Sequence, residues 1–159
     1  MSLDTQLVLT AQGYSKIERE LERLRTVDRR EVAERIRDSK QFGEFAENAE
    51  YEDAKMEQAF VEGRIQDLKR ILQIAQLQDE KDIPTDYVGI GSIVKVLDIE
   101  AKEEWEFTLV GSIESDPDQD RISDESPVGQ ALLDKKVGDK VNVAIPDGQI
   151  RYKVISIRK

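Results

Sequence analysis

The sequence predicts a two-domain α+β protein, in which an antiparallel hairpin of two long helices precedes a small antiparallel sheet with one short helix. Apolar residues recur at spacings of 3 and 4 through the first half of the chain, as they do along the seam of a coiled coil. After Gln76 the pattern changes to the period of 2 that is typical of strands. We therefore predict a hairpin domain over residues 1–78 and a sheet domain over residues 79–159.

The first helix is predicted from about Ala11 to Lys40, with Thr10 as its N-cap. The residues expected along its seam are Tyr14, Ile17, Leu21 and Leu24, followed by Val32 and Ile36. Between these two groups the spacing of 3 and 4 is interrupted at Val27 and Asp28. The predicted helix therefore contains one shift of its apolar face.

The second helix repeats the pattern without interruption. Its seam comprises Tyr51, Ala54, Gln58, Val61, Ile65, Leu68, Leu72 and Ala75. A seam of this length requires a partner helix, and the turn after the first helix is too short for anything except an antiparallel hairpin. With about 30 residues in each arm and a rise of 1.5 Å per residue, the hairpin would be roughly 45 Å long.

The turn between the helices, residues 43–51, is the strongest candidate for a functional site. Gly43 supplies the flexible backbone that a chain reversal requires. Glu44 and Glu47 lie three residues apart at the expected start of the second helix. Their carboxylates can therefore share one face of that helix and form half of a metal site.

A second interpretation is that the two acids only cap the helix, because acidic groups offset the positive end of the helix dipole. Glu47 fits this interpretation as the third-position acid of a capping box. Glu44 fits it less well, since the favoured N-caps have shorter side chains. Phe45, between the acids, favours a functional tip, because a solvated turn gains nothing from an aromatic side chain. On the residues alone both interpretations stay open.

Three cations are expected within a few turns of the acids, namely Arg37, Lys40 and Lys55. They could form weak surface ion pairs with Glu34 and Glu52. Alternatively, they could guide a polyanion toward the acidic turn.

The second domain is predicted to hold four strands and one short helix. The strands are expected at residues 91–97, 105–110, 140–145 and 151–157. Ser126 and Pro127 supply the N-cap and first position of a helix that continues to Leu133. A hairpin turn at residues 146–148 separates the last two strands. We find no phosphate-binding glycine loop, nucleophile elbow or acid pair in this domain.

Composition narrows the possible functions. The 159 residues are 36% charged, and no apolar run approaches the roughly 20 residues that span a bilayer. The first residues lack the features of an export signal, so we expect a cytoplasmic protein without a membrane partner. The absence of Cys and His excludes disulfides, zinc sites of the usual type and thiolate or imidazole catalysis. A net charge of −10 argues against a protein that coats duplex nucleic acid.

Several stretches resemble the bacterial Gre transcript cleavage factors, and the GreA group among them most closely. In the first domain they are residues 9–14, 43–51, 54–55 and 62–65, and in the second domain residues 122–133 and 136–141. The resemblance covers nearly the whole chain in the family's order.

The resemblance implies an N-terminal antiparallel coiled coil and an FKBP-like C-terminal domain. It implies that the C-terminal domain docks on RNA polymerase while the coiled coil enters the polymerase's secondary channel. There the family stimulates the polymerase's own Mg²⁺-dependent cleavage of the RNA 3′ end in backtracked complexes, and is not itself an enzyme. We expect a monomer whose partners are RNA polymerase and the nascent RNA 3′ end.

The resemblance also assigns the site residues. The two tip acids of the family fall on Glu44 and Glu47, which would complete a Mg²⁺ site held by the polymerase. The two basic positions that contact RNA fall on Lys40 and Lys55. The chain departs from the family at the first tip acid, which is usually Asp and is Glu44 here.

Two other functions compete with transcript cleavage. A Gre-like regulator of the same shape could modulate or inhibit the polymerase without cleavage, and the altered first acid is its only support. A prolyl isomerase is suggested by the FKBP-like domain alone. Against the isomerase, the second domain has few aromatic residues for a proline pocket, namely Tyr87, Trp105, Phe107 and Tyr152.

Overall fold

The computed structural model describes residues 7–40 and 49–159. They form two compact units, one of residues 14–75 and one that combines the described residues before Tyr14 with residues 76–159. The predicted α+β class is confirmed, since one unit is helical and the other is built on a sheet. The predicted boundary after residue 78 stays a prediction. Among the described residues, no helix is long and apolar enough to cross a bilayer.

The first predicted helix is a continuous helical path with an irregular centre. It consists of α1 (Ala11–Arg23), a π-helical segment (Leu24–Asp28) and α2 (Arg29–Lys40). Thr10 caps α1 as predicted, because its hydroxyl accepts the N–H of Gly13 at 3.1 Å.

The π segment lies where the sequence pattern is interrupted. Leu24 and Val32 are both buried, but Val32 lies one position beyond the place that regular spacing would give it. A π turn takes up one additional residue, and the N–H of Arg29 accordingly bonds to the carbonyl of Leu24, five residues earlier. Thr26 Oγ1 also donates to the Glu22 carbonyl at 2.8 Å. The bulge thus returns the apolar face of α2 to the seam.

The second helix, α3 (Ala49–Ile74), runs antiparallel to α2. Three ion pairs between the arms show this direction, because residue numbers rise along the first arm as they fall along the second. The pairs are Glu20–Arg64, Arg29–Glu62 and Arg35–Glu57. The predicted α3 seam is confirmed, because Ala54, Val61, Ile65 and Leu68 are buried and the other seam positions are half-buried.

The other unit contains a five-stranded sheet in the order β5-β4-β3-β7-β6. Its strands are β3 (Ile93–Asp98), β4 (Glu103–Val110), β5 (Arg121–Ser123), β6 (Lys140–Ile145) and β7 (Gly148–Arg158). The four predicted strands pair antiparallel as expected. The short strand β5 was not predicted, and it pairs parallel to β4, so the sheet is mixed.

Two further strands were also missed by the sequence analysis. β1 (Val8–Leu9) and β2 (Gln76–Leu77) form a small parallel pair. Each has only two residues, which is too short for an alternating pattern to be visible. The pair joins the segment before α1 to the segment after α3.

The core of the sheet unit is packed between the sheet and α4 (Pro127–Leu132). Its fully buried side chains include Val88, Val94, Val96, Phe107, Leu109, Leu132 and Val154. Trp105 packs against this core, with its ring centroid 4.7 Å from that of Phe107 and 6.2 Å from that of Tyr152. Three of the four aromatic residues weighed for a proline pocket therefore pack against one another within the unit.

Candidate functional site

Two of the four predicted site residues, Lys40 and Lys55, belong to the part of the chain that the structure describes. Glu44 and Glu47, with Gly43 and Phe45, lie outside the described residues. Lys40 is the last residue of α2 and its side chain is exposed. Lys55 lies in the second turn of α3 and is also exposed.

Lys40 and Lys55 lie on the same side of the hairpin. Each directly follows a buried seam residue, Ser39 on α2 and Ala54 on α3. Successive residues of a helix are about 100° apart, so each lysine leaves its helix at about that angle from the seam. Because α2 and α3 are antiparallel, a residue that follows the seam points to the same side in both helices. The structure therefore presents two cations together on one side.

The contacts of the lysines differ from the ion pairs considered above. Lys55 Nζ donates to Gln58 Oε1 at 3.1 Å, on its own helix. Within the described residues, no ion pair joins Lys55 to Glu52 or Lys40 to Glu34. A single exposed hydrogen bond to a neutral amide restrains an ammonium group little. The charge of Lys55 is thus accessible to an external anion.

The other side of the hairpin holds an ion cluster that ties its two arms together. The guanidinium of Arg35 on α2 lies 2.5 Å from a carboxylate oxygen of Glu57 and 3.5 Å from one of Glu50, both on α3. The hydrogen bond that Arg35 donates to Glu57 raises the pKa of Arg35 above its usual value. Glu50 lies in the first turn of α3, so the cluster positions the start of that helix against α2.

A second cross-arm pair lies nearer the middle of the hairpin. Arg29 donates to both carboxylate oxygens of Glu62, at 2.9 and 2.8 Å. This bidentate contact lowers the pKa of Glu62 below its usual range. Both side chains are largely exposed, so we attribute to the pair a role in alignment more than in stability.

In the sheet unit, a buried network holds the segment before α1 in place. Glu114 Oε1 accepts from Thr10 Oγ1 and from Arg121, both at 2.6 Å, while its Oε2 accepts the N–H of Thr10 at 2.9 Å. The Glu114 side chain is only 3% exposed. A Cβ on Gly13 would lie 2.1 Å from Glu114 Oε1, so a larger residue there would push the Glu114 carboxylate out of this network. Sequence reasoning missed this network, because its members are about a hundred residues apart and no local pattern joins them.

The turn between β5 and α4 is also fixed internally. Ser126 caps α4 as predicted, accepting the N–H of Gly129 at 3.0 Å. Its hydroxyl donates to the Ser123 carbonyl at 2.6 Å. Burial, and then the charge of Glu125, raise the pKa of Asp124. This rigid turn belongs to residues 122–133, one of the stretches that carry the family resemblance.

A cleft of about 310 Å³ lies beside the buried network in the same unit. Its lining includes Thr10, Gln78, Gly91, Thr108 and Arg121. Arg121 is already paired with Glu114, and the lining also includes the charged residues Glu80 and Lys159. Among the described residues, no three His, Cys, Asp or Glu side chains are grouped as a metal site would require.

Comparison with known proteins agrees with the sequence resemblance. Residues 7–77 match the family model "Transcription elongation factor, N-terminal", and residues 83–159 match "Transcription elongation factor, GreA/GreB, C-term". The transcription elongation factor GreA of Acetivibrio thermocellus is 55% identical over 159 residues, covering the whole of both chains. That of Thermoanaerobacter pseudethanolicus is 54% identical over 153 residues, 96% of this chain and 98% of the relative.

Solved structures were matched as well. The crystal structure of GreA factor homolog 1 of Thermus thermophilus is 29% identical, covering 97% of this chain and 99% of the other, with a TM-score of 0.45. The sequence matches alone span both units and confirm the resemblance. The chain belongs to the GreA/GreB family of transcription elongation factors.

Proposed function

We propose that this chain binds RNA polymerase and stimulates the polymerase's own cleavage of the RNA 3′ end in backtracked, arrested complexes. In this proposal the sheet unit docks on the polymerase and the hairpin enters the secondary channel. Membership in the GreA/GreB family supports a role in elongation. The observation that supports cleavage is the placement of Lys40 and Lys55 on one side of the hairpin, on the two helices that flank Glu44 and Glu47 in the sequence.

Lys40 and Lys55 are proposed to hold the extruded RNA. Both are exposed, and both sit on helices whose seam residues are buried up to the last described turn. Ammonium groups held on rigid helices attract phosphates without the loss of order that a flexible loop would impose. Two cations on one side can contact successive phosphates of a single strand.

Glu44 and Glu47 are proposed to complete the coordination of a Mg²⁺ ion that the polymerase holds. Mg²⁺ in such sites uses one or two protein carboxylates and retains several waters, so the two acids fit the ion in kind and number. When bound, the ion supplies an activated water and stabilises charge on the cleaved phosphate. The two carboxylates would hold that water and orient it toward the RNA.

Because two carboxylates make only half of a site, the chain is not expected to cleave RNA alone. We propose that it is a monomeric, cytoplasmic accessory to the polymerase and not an enzyme. The alternative is a regulator that occupies the same channel without cleavage, for which the longer side chain at Glu44 remains the only support.

The test is incubation of the chain with a backtracked RNA polymerase complex that carries RNA labelled at its 5′ end. Transcript cleavage predicts shortened RNA that the polymerase can extend again, with Mg²⁺ required and no shortening without polymerase. Altered pausing with no shortened RNA would favour the alternative. No effect on the complex at saturating concentrations would contradict both functions.

A further inference from the structure

The seam of the hairpin changes in character along its length. Away from the turn, the buried seam residues are large and apolar, namely Leu21, Leu24, Ile65 and Leu68. In the last turn of α2 and the second turn of α3, the buried seam residues are the small Ser39 and Ala54. The larger seam residues nearby, Ile36 and Tyr51, are only half-buried. Small side chains are poor knobs, so burial fixes the axial register of the two arms only weakly in this part of the hairpin.

An ion cluster of Arg35, Glu50 and Glu57 joins the arms where the seam is weak. The Arg35 guanidinium lies 2.5 Å from a carboxylate oxygen of Glu57 and 3.5 Å from one of Glu50. The two acids are about two turns apart on one face of α3, so a single planar group contacts both. Within residues 7–40 and 49–159, no other ion pair between the arms lies nearer the turn. The cluster thus fixes the offset of α3 along α2 in a way that one point charge would not.

The cluster is too exposed to add much to the stability of the hairpin. The side chains of Arg35, Glu50 and Glu57 are 39%, 64% and 46% exposed. Ion pairs of this exposure contribute little to the free energy of unfolding. Their effect is to favour one arrangement among those that bury the small seam residues equally well.

The two lysines of the proposed site depend on this arrangement, because they lie on different arms. Lys40 follows Arg35 on α2. Lys55 lies between Glu50 and Glu57 on α3. A slip of one helical turn between the arms would move Lys55 about 5 Å relative to Lys40. Hydrogen bonds to phosphate oxygens tolerate only a few tenths of an ångström around roughly 2.8 Å, so such a slip would separate the two contacts with one strand.

We propose that Arg35 is a positioning residue for RNA binding. By bridging Glu50 and Glu57, it holds Lys40 and Lys55 at the spacing that contact with a single RNA strand requires. This inference rests on the proposed function and adds a residue that acts through the lysines without touching RNA. Two other roles give different results in the test below, namely a direct contact of Arg35 with RNA and a purely structural bridge between the arms.

The experiment measures the rate of stimulated cleavage in backtracked complexes at saturating full-length chain, with polymerase binding and thermal melting in parallel. The variants are Arg35→Gln and Glu57→Gln. The matched control is Arg29→Gln, which removes an ion pair between the arms of similar exposure where the seam residues Val32 and Val61 are buried. We expect the two variants each to cleave about fivefold more slowly with unchanged polymerase binding, because misplaced contacts lower the rate. Arg29→Gln should cleave at the unaltered rate.

Two comparisons separate positioning from the other roles. In the Lys55→Ala chain, adding Arg35→Gln should change the rate by less than about twofold, because no second lysine remains to be positioned. A purely structural bridge would produce the same loss with and without Lys55. Glu57→Gln releases the charge of Arg35, so a direct contact with RNA predicts unchanged or faster cleavage where positioning predicts slower cleavage.

The results also separate this inference from the proposed function. If the unaltered chain stimulates cleavage and Arg35→Gln matches its rate, the positioning role is wrong while the proposed function stands. Equal slowing by Arg35→Gln and Arg29→Gln would overturn the positioning role as well. Should Arg35→Gln melt below the assay temperature, the same comparisons with Glu57→Gln decide. If the unaltered chain produces no shortened RNA, the proposed function fails and the positioning role fails with it.

Discussion

Lys40 and Lys55 are distinguished from the many other cations of the hairpin by where they lie and not by their chemistry. Three of the nine arginines in residues 14–75, Arg29, Arg35 and Arg64, are tied to carboxylates across the two arms. Lys55 instead makes one hydrogen bond to a neutral amide. These three arginines therefore align the hairpin, while Lys40 and Lys55 are accessible to a ligand.

We predict that Lys40→Ala and Lys55→Ala each reduce stimulated cleavage by about tenfold at limiting factor, the scale of one lost charge-assisted contact. Their melting temperatures should change little, because both side chains are exposed. Lys69→Ala, an exposed lysine further along α3, is the matched control and should cleave normally. Full activity of both the Lys40→Ala and the Lys55→Ala proteins at limiting factor would contradict the prediction. The two lysines would then be ordinary solvated surface charges.

Replacing glycine is expected to have opposite effects on stability at two positions of this chain, Gly129 and Gly63. A Cβ at Gly129 would lie 2.0 Å from the carbonyl oxygen of Ser123, so α4 packs too closely on the end of β5 for alanine. Gly129→Ala should lower the stability of the sheet unit by about 1–3 kcal/mol. Gly63→Ala, which meets nothing, should stabilise the hairpin by about 1 kcal/mol.

Both changes can be followed by urea unfolding with separate probes. Trp105 is the single tryptophan and packs against the sheet core, so its fluorescence follows the sheet unit. Far-ultraviolet circular dichroism follows the helices. An unchanged fluorescence transition in the Gly129→Ala protein would contradict the predicted loss of stability. It would show that α4 can move away from the end of β5 without lowering the free energy of unfolding.

At the scale of elements, the π segment shows how an irregular sequence pattern becomes a specific structure. The interruption at Val27 and Asp28 could have meant a break, a loop or a kink. The structure keeps the helix continuous and absorbs one residue between Leu24 and Val32. The sequence could locate the irregularity but not its form, because hydrophobic spacing records which side chains are buried and not how the backbone turns between them.

A deletion tests this account of the π segment. Removing Thr26 should leave the hairpin folded with nearly the same melting temperature, because a regular α-helix would then place Val32 on the seam. Removing Ala33, between Val32 and Ile36, should lower the melting temperature strongly, since it rotates the rest of α2 by about 100° away from the seam. Equal losses of helical signal in the two deletion variants would contradict the interpretation of the segment as a one-residue bulge.

The sheet unit shows a different limit of sequence reasoning. The strands β3, β4, β6 and β7 were predicted from alternation and hairpin turns, both of which are local. β5 has three residues and returns beside β4 through two short 3₁₀ turns, so neither its length nor its connection gives a local signal. The network of Thr10, Glu114 and Arg121 was missed for the same reason.

For the whole molecule, the apolar patterns that repeat over many residues predicted the fold, and the resemblance to the Gre factors carried the functional prediction. The hairpin, its seams and the α+β class follow from hydrophobic periodicity, which burial enforces at every turn. The roles proposed for Glu44, Glu47, Lys40 and Lys55 depend on a metal and an RNA that the polymerase would supply. Such roles could be predicted only through the resemblance, because half of a site leaves no mark on the fold of the chain that carries it.

The central claim is that Glu44 and Glu47 act as metal-completing acids and do not merely cap a helix. Glu→Gln nearly preserves side-chain shape while removing the charge. A capping role therefore predicts that Glu44→Gln and Glu47→Gln lower stability by about 1 kcal/mol or less and leave activity intact. Glu44→Asp restores the residue usual in the family, and on our account it should keep or raise cleavage.

The most direct measurement is the rate of stimulated RNA cleavage by the Glu44→Gln and Glu47→Gln chains in a backtracked RNA polymerase complex at saturating factor. Polymerase binding, measured in parallel, is the control. We predict that each variant binds the polymerase as the unaltered chain does but loses most of the stimulated cleavage. A Glu44→Gln chain that binds and cleaves at the unaltered rate would contradict the metal-completing role.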